Sequence, residues 1–222
     1  MYDLPFGLEL RHPFLIARFI GIHETLGWSI TKPGFDITSE VVWIEVKDKD
    51  LPIDIDPIKL VNEKLAVAGM ENTAVFLTAR EIRRHHIAQT QINSLSATCV
   101  ATVGLTNGEF VGMRKHIKNF QVGTINMLVH FSKPLTAGAF AESLSIATQA
   151  RTAAIMDTNH LRQKPYITGT GTDCIIIAAP RGGPHESCAG LHTDAGEAIG
   201  SAVYKAIFEG AVEWGRENSS AR

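Results

Sequence analysis

Apolar and polar residues alternate along several stretches of this chain, and a period of two marks strands. From Ser96 to Val103, Ala97, Cys99, Ala101 and Val103 fall on one face, and Ser96, Thr98, Val100 and Thr102 on the other. Gly123 to Phe131 alternates more cleanly, with Ile125, Met127, Val129 and Phe131 opposite Thr124, Asn126, Leu128 and His130. Phe14 to Ile20, Ile37 to Val46 and Ala74 to Leu77 are β-branched and aromatic enough to be strands, with Gly27 and Lys32-Pro33-Gly34 turning the chain between the first two. Ile175 to Ala179 is apolar without alternation, as expected of a strand buried on both faces.

A period near 3.6 marks the helices. Asp56 followed by Pro57 reads as an N-cap and first helical residue, with Ile58, Val61, Leu65 and Ala68 as the stripe and Gly69 as the stop. Thr136 caps a long alanine-rich helix from about Ala137 to Met156, with Phe140, Leu144 and Ala147 on its buried side. Thr193 caps the last helix, whose stripe is Ile199, Ala202, Val203, Ala206, Ile207 and Gly210. Thr78-Ala79-Arg80-Glu81 has the form of a capping box and predicts a helix carrying Arg80, Arg83, Arg84, His85 and His86, read as a solvated basic face ahead of an anion site or a metal site at His85 and His86. Asn107-Gly108 is a tight-turn signal, Arg114, Lys115, His116 and Lys118 fall in a loop, and Arg181 to Glu186 reads as a mobile connection.

No repeat and no linker divides the chain, so one domain over residues 1–222 is expected, with a flexible tail from 216. The fold class is α/β or α+β, a mixed or largely antiparallel sheet covered by helices. A formal charge of −2, from 21 basic and 23 acidic residues, supplies no general field for nucleic acid or an anionic membrane. A small molecule or a second copy of the chain is the expected partner. The widely spaced Cys99, Cys174 and Cys188 form no C-x-x-C and suit a reducing compartment. With no apolar leader and no run of about 18 apolar residues, the expected location is the cytoplasm.

The chemistry converges on Thr168-Gly169-Thr170-Gly171-Thr172-Asp173, a hydroxyl-rich glycine loop running into Cys174 and the buried strand. The glycines permit close approach of a ligand to the backbone, and the junction fixes the Asp173 carboxylate. A plain structural turn is the alternative reading. A nucleotide site is disfavoured, because the third glycine of G-x-G-x-x-G is missing and no Gly-Lys-Ser/Thr follows. Asn126 is costly mid-strand and requires a partner, either a structural hydrogen bond or a substrate amide. Cys174 begins an apolar run and reads as core.

Taken together, Leu77-Thr78-Ala79, Thr102-Val103-Gly104-Leu105-Thr106-Asn107, Gly123-Thr124-Ile125-Asn126, Ala147 to Ala154, Thr168 to Asp173 and Gly190-Leu191-His192-Thr193 with Gly196 to Gly200 resemble the adenosylcobinamide amidohydrolase (CbiZ) family of corrinoid salvage. The matching pieces run from about residue 75 to 205. The resemblance implies hydrolysis of the amide joining the aminopropanol arm to the corrin ring, giving adenosylcobyric acid and 1-aminopropan-2-ol. It implies a corrinoid as substrate; no resident cofactor is expected, and a homo-oligomer is the other expected partnership.

Amide hydrolysis needs an activated nucleophile and a stabilised oxyanion. Among the matched positions, Asp173 or His192 is the expected general base, with the other orienting it or protonating the departing amine. Gly169 and Gly171 N–H groups and Asn126 are the expected oxyanion donors, and Thr172 is a reserve nucleophile. Thr168, Thr170, Asn107, Thr78 and Glu197 complete the expected substrate contacts. His192 has a capping or surface role as its alternative. No G-x-S-x-G or H-E-x-x-H occurs, and no metal ligand set is expected. A non-catalytic corrinoid carrier is the rival function, although Asp157-Thr158-Asn159-His160 has the wrong spacing for the D-x-H-x-x-G of base-off carriers.

Overall fold

The computed structural model describes residues 3–47, 56–70, 73–113, 123–161 and 166–219. Among these, eight strands form one mixed sheet. In space they run β4 (Ala74–Thr78), β3 (Gly34–Glu45), β2 (Phe14–Gly27), β10 (Cys174–Pro180), β8 (Ile125–Phe131), β6 (Leu95–Val103), β5 (His85–Ile92), with β1 (Phe6–Arg11) paired to β2. β3 with β4 and β8 with β10 are parallel, and each of those pairs is joined through a helix, α1 (Pro57–Ala68) and α2 (Ala137–Thr158) respectively. The last helix, α3 (Asp194–Ser219), packs beside α2 and over β5 and β6. A two-stranded ribbon, β7 (Gly108–Glu109) with β9 (Gly169–Thr170), stands apart from the sheet.

The sheet folds over itself at β2. Pairing with β3 shifts register between Arg18 and His23, where Gly21 has φ +83°, and the strand continues on a new course to meet β10. Three cores follow. Val42, Ile44, Val75, Val61 and Leu65 pack between α1 and one half of the sheet. Leu15, Ala17, Phe19, Trp43 and Phe76 meet Val100, Leu128, Ile176 and Ala178 between the two halves. Met127, Val129, Ile175 and Ile177 pack against α2 and α3. Strands such as Val41-Val42-Trp43-Ile44 are buried on both faces, which is why their apolar runs do not alternate.

The helix caps stand where the sequence placed them. Asp56 accepts from the Ile58 N–H, Thr136 from Ala139 and Thr193 from Gly196. The helix expected after Thr78 does not form. Thr78 accepts from Arg80 N–H, one 3-10 turn spans Ile82–Arg84, and His85 opens β5. Pairing with β6 decides this: His85 to Ile92 completes eight register pairs with the exposed edge of that strand, a tertiary gain that local capping signals do not contain. The basic residues serve as anchors, since Arg80 and Arg84 pair with Glu217 and His86 lies 2.7 Å from Glu213 on α3.

The connection at 181–186 is tied at its end, where Glu186 exchanges backbone hydrogen bonds with Pro134 and Thr136. α3 extends through residue 219, further than the tail expectation allowed, while 220–222 lie outside the described residues. Arg114, Lys115, His116 and Lys118 also lie outside them. No helix among the described residues is long and apolar enough to cross a membrane.

Candidate active site

The Gly/Thr loop stands at the N-terminal ends of β8 and β10, where two parallel strands leave the edge of a mixed sheet and their loops are free to carry polar groups. Asp173 is the hub. Its Oδ2 lies 2.8 Å from the Arg151 guanidinium and accepts from Thr170 N at 3.1 Å. Its Oδ1 accepts from Ile125 N at 3.2 Å and from the Thr170 hydroxyl. The side chain is 7% exposed. Burial pushes its carboxyl above the usual carboxylate range, while the Arg151 charge and the Thr170 and Ile125 hydrogen bonds pull the other way.

Arg151 explains Gly169. The guanidinium occupies the space a side chain at 169 would need, and it also donates to Thr168 O at 2.8 Å. A buried carboxylate at a strand entrance requires a cation, and α2 carries one basic residue to supply it. Sequence reasoning missed Arg151, although its solitary positive charge in an alanine-rich helix was the available signal. It missed Trp28 as well, whose indole N–H donates to Asp173 O at 2.5 Å.

Both oxygens of Asp173 are thus engaged by protein donors, which leaves the carboxylate holding the corner together. His192 does not meet it. The segment containing His192 is fixed at the far end of the sheet, where Ala189 N–H donates to Glu142 at the start of α2 and Asn93 of the β5–β6 turn donates to Asp194. Seven residues of β10 separate the two ends, roughly 20 Å at a strand rise of ~3.3 Å per residue. Glu197, one turn into α3, is exposed and shares that far end. The Asp173–His192 pairing expected from the sequence is therefore not assembled, because α3 starts beyond the C-terminal ends of the strands.

Asn126 is fully buried and structural. Its Nδ2 donates to Leu77 O at 2.6 Å, tying β4 across to β8, and its Oδ1 faces the Thr124 hydroxyl at 3.3 Å. Gly171 N–H donates to Asn107 O at 3.2 Å, so it too is occupied. Thr78 is likewise buried and spent on its turn. Thr168 accepts from Val111 N at 2.9 Å and locks the β7–β9 ribbon to the loop.

What remains at the corner is a set of hydroxyl and amide groups. Thr172 is exposed and donates to Gly123 O at 3.0 Å; Thr124 donates to Thr172 O at 2.6 Å. Asn107 is buried beside Gly171. The Cys174 thiol, pushed up to about 11 by burial and then by the Asp173 charge, stays protonated and is no nucleophile at neutral pH. Around the corner, Trp28, Val111, Met113 and Tyr166 are all large apolar residues left exposed. No group of three or more His, Cys, Asp or Glu side chains among the described residues could hold a metal ion.

The other polar residue on the inner face of β8, His130, belongs to a different cluster. Leu128 separates it from Asn126, and its Nε2 lies 3.1 Å from that of His23, with Phe19 stacked on His23 and Phe6 beside His130. Burial lowers both imidazoles, His130 to about 3.

A sequence model of adenosylcobinamide amidohydrolases matches residues 4–219, nearly the entire chain. The chain belongs to that family. The match extends the CbiZ relationship through the first seventy residues, where motif comparison alone had found little. An uncharacterised protein of Methanocaldococcus jannaschii is 32% identical over 102 residues, covering 45% of this chain and 40% of its own length. The chain thus matches less than half of that relative. Among solved structures, the PH0078 protein of Pyrococcus horikoshii aligns with 95% of this CbiZ-family chain and 80% of its own at 11% identity and a TM-score of 0.46. A β-aminopeptidase of Burkholderia aligns with 90% of this chain and 78% of its own at 10% identity and a TM-score of 0.45.

Proposed function

We propose that this protein hydrolyses the amide bond joining the aminopropanol arm of adenosylcobinamide to the corrin ring, releasing adenosylcobyric acid and 1-aminopropan-2-ol for corrinoid salvage. The observation that carries the reading is the family match over residues 4–219. The geometry of the loop corner supports it. Exposed Trp28, Tyr166, Val111 and Met113 offer apolar surface to a flat macrocycle, and beside them the exposed Thr172 hydroxyl oxygen offers an acceptor and Asn107 a carboxamide to a side-chain amide at its rim.

Within this reading Asp173 organises the corner instead of reacting. By accepting from Ile125 and Thr170 and pairing with Arg151, it fixes the start of β8 and the Gly/Thr loop against each other, so the hydroxyls keep their places as substrate arrives. Incubation of the purified protein with adenosylcobinamide, followed by mass spectrometry, tests the proposal. Appearance of adenosylcobyric acid supports it. Tight binding of the corrinoid with no product would replace the enzyme with a carrier, and neither binding nor product would remove the corrinoid altogether.

A further inference from the structure

The carbonyl oxygen of a scissile amide needs donors that are not already used, and Thr106 and Asn107 have them. These two consecutive residues form the turn before β7, and their backbone nitrogens both face Gly123: a Cβ on Gly123 would lie 2.9 Å from each. Neither N–H donates to another described residue. The Asn107 carboxamide is also without a hydrogen bond among the described residues, although Asn107 is only 6% exposed. It lies against Gly171, where a Cβ would come within 3.3 Å of Nδ2.

These groups form one corner. Gly171 N–H is bonded to Asn107 O, and the Thr172 hydroxyl to Gly123 O, so the two glycines and Asn107 hold fixed relative positions. No described residue takes up the Asn107 carboxamide or the two backbone N–H groups beside it, and Thr106 is exposed, so these donors stand ready for a ligand at this corner. Successive N–H groups in a turn make an anion-binding nest, and the missing side chains at 123 and 171 keep it open.

We propose that Thr106 N–H, Asn107 N–H and the Asn107 carboxamide form the oxyanion site of the reaction. As the oxygen of water bonds to the amide carbon, the carbonyl π pair moves onto oxygen and is held there by these donors. The pair returns as the C–N bond breaks, and the amine leaves with the proton given up by water. The products are one carboxylic acid and one amine. Two of the donors expected from the sequence, Gly171 N–H and Asn126, are already bonded within the protein. This assignment rests on the amide-hydrolysis reading above.

Steady-state kinetics of Asn107→Ala and of the isosteric Asn107→Asp on adenosylcobinamide, beside thermal denaturation, test it. Removal of one oxyanion donor lowers kcat by about 10²–10³. The expected result for Asn107→Ala is that loss with KM within about threefold and an unchanged Tm, with Asn107→Asp lower still because a carboxylate repels the developing charge. Full kcat in either folded variant would overturn the assignment while leaving the function intact. If Asn107→Ala does not fold, a folded but inactive Asn107→Asp supports the assignment. Failure of both to fold would make Asn107 a structural residue and overturn it. An inactive wild-type protein would instead defeat the hydrolase reading, and this inference with it.

Discussion

The Arg151 guanidinium passes over the Cα of Gly169 to reach Asp173, 2.8 Å away, and fills the space that any side chain at 169 would need. The glycine is therefore a condition of the ion pair. The partners are 12% and 7% exposed, so neither charge is well solvated if the other is displaced. Gly169→Ala should push the guanidinium aside and cost about 3–5 kcal/mol, the usual loss when a buried pair is broken. Urea denaturation measures this, and a midpoint equal to wild type would show that the corner accommodates a methyl group.

Asp173→Asn separates an organising carboxylate from a reacting one. It leaves Arg151 buried without its counter-charge, so a stability loss of several kcal/mol is expected by the same argument. The kcat of the fraction that stays folded should change by less than about tenfold, whereas removal of a general base lowers turnover by ~10² or more. A large kcat loss at wild-type stability would return Asp173 to the chemistry.

The His23–His130 pair makes stability depend on pH. In the unfolded chain a histidine binds its proton near pH 6.5, but in the folded protein His130 does so only at about 3. Below pH 6.5 the unfolded state therefore holds more protons, and stability falls as pH falls from there toward 3. At pH 5 the loss from His130 alone is about 2 kcal/mol, and lowered His23 adds in the same direction. Urea midpoints at pH 7.5 and pH 5 should differ accordingly in wild type and less in His130→Gln. Parallel pH profiles for the two proteins would refute the attribution.

Glu217 joins α3 to the turn before β5 through Arg80, whose hydrogen bond holds the Glu217 carboxyl below its ordinary value. A depressed carboxylate stabilises the fold above its unfolded pKa and loses that contribution as pH drops through the folded value. The side chain is 28% exposed, so solvent screening limits the effect. Glu217→Gln should cost no more than about 1 kcal/mol near neutral pH, read as a small Tm decrease. A loss of several kcal/mol would mean that the cluster is shielded far better than its exposure implies.

The alternating strands, the three capped helices and the two-sided burial of Ile175 to Ala179 were readable in the amino-acid order, because each depends on neighbours within a turn, on a period of two or on an unbroken apolar run. β5 was not, since local capping chemistry at Thr78 to Glu81 favours a helix and pairing with β6 outweighs it. The site was legible only in part. Thr168 to Asp173 and Asn107 converge as the motifs suggested, but His192 and Glu197 share a motif with one another and not a place with Asp173.

The order of residues alone determined which segments are strands and helices, which faces are apolar, and that a carboxylate, glycines and hydroxyls meet at one strand entrance. Only the tertiary structure decided which polar groups are spent and which remain. Asp173 and Asn126 are consumed by Arg151, Ile125, Thr170 and Leu77, while no described residue takes up the Asn107 carboxamide or the N–H groups of Thr106 and Asn107. Hydrogen-bond capacity is taken up by partners distant in sequence, so which polar groups stay available is decided only once β2 has bent the sheet over and α2 has returned along it.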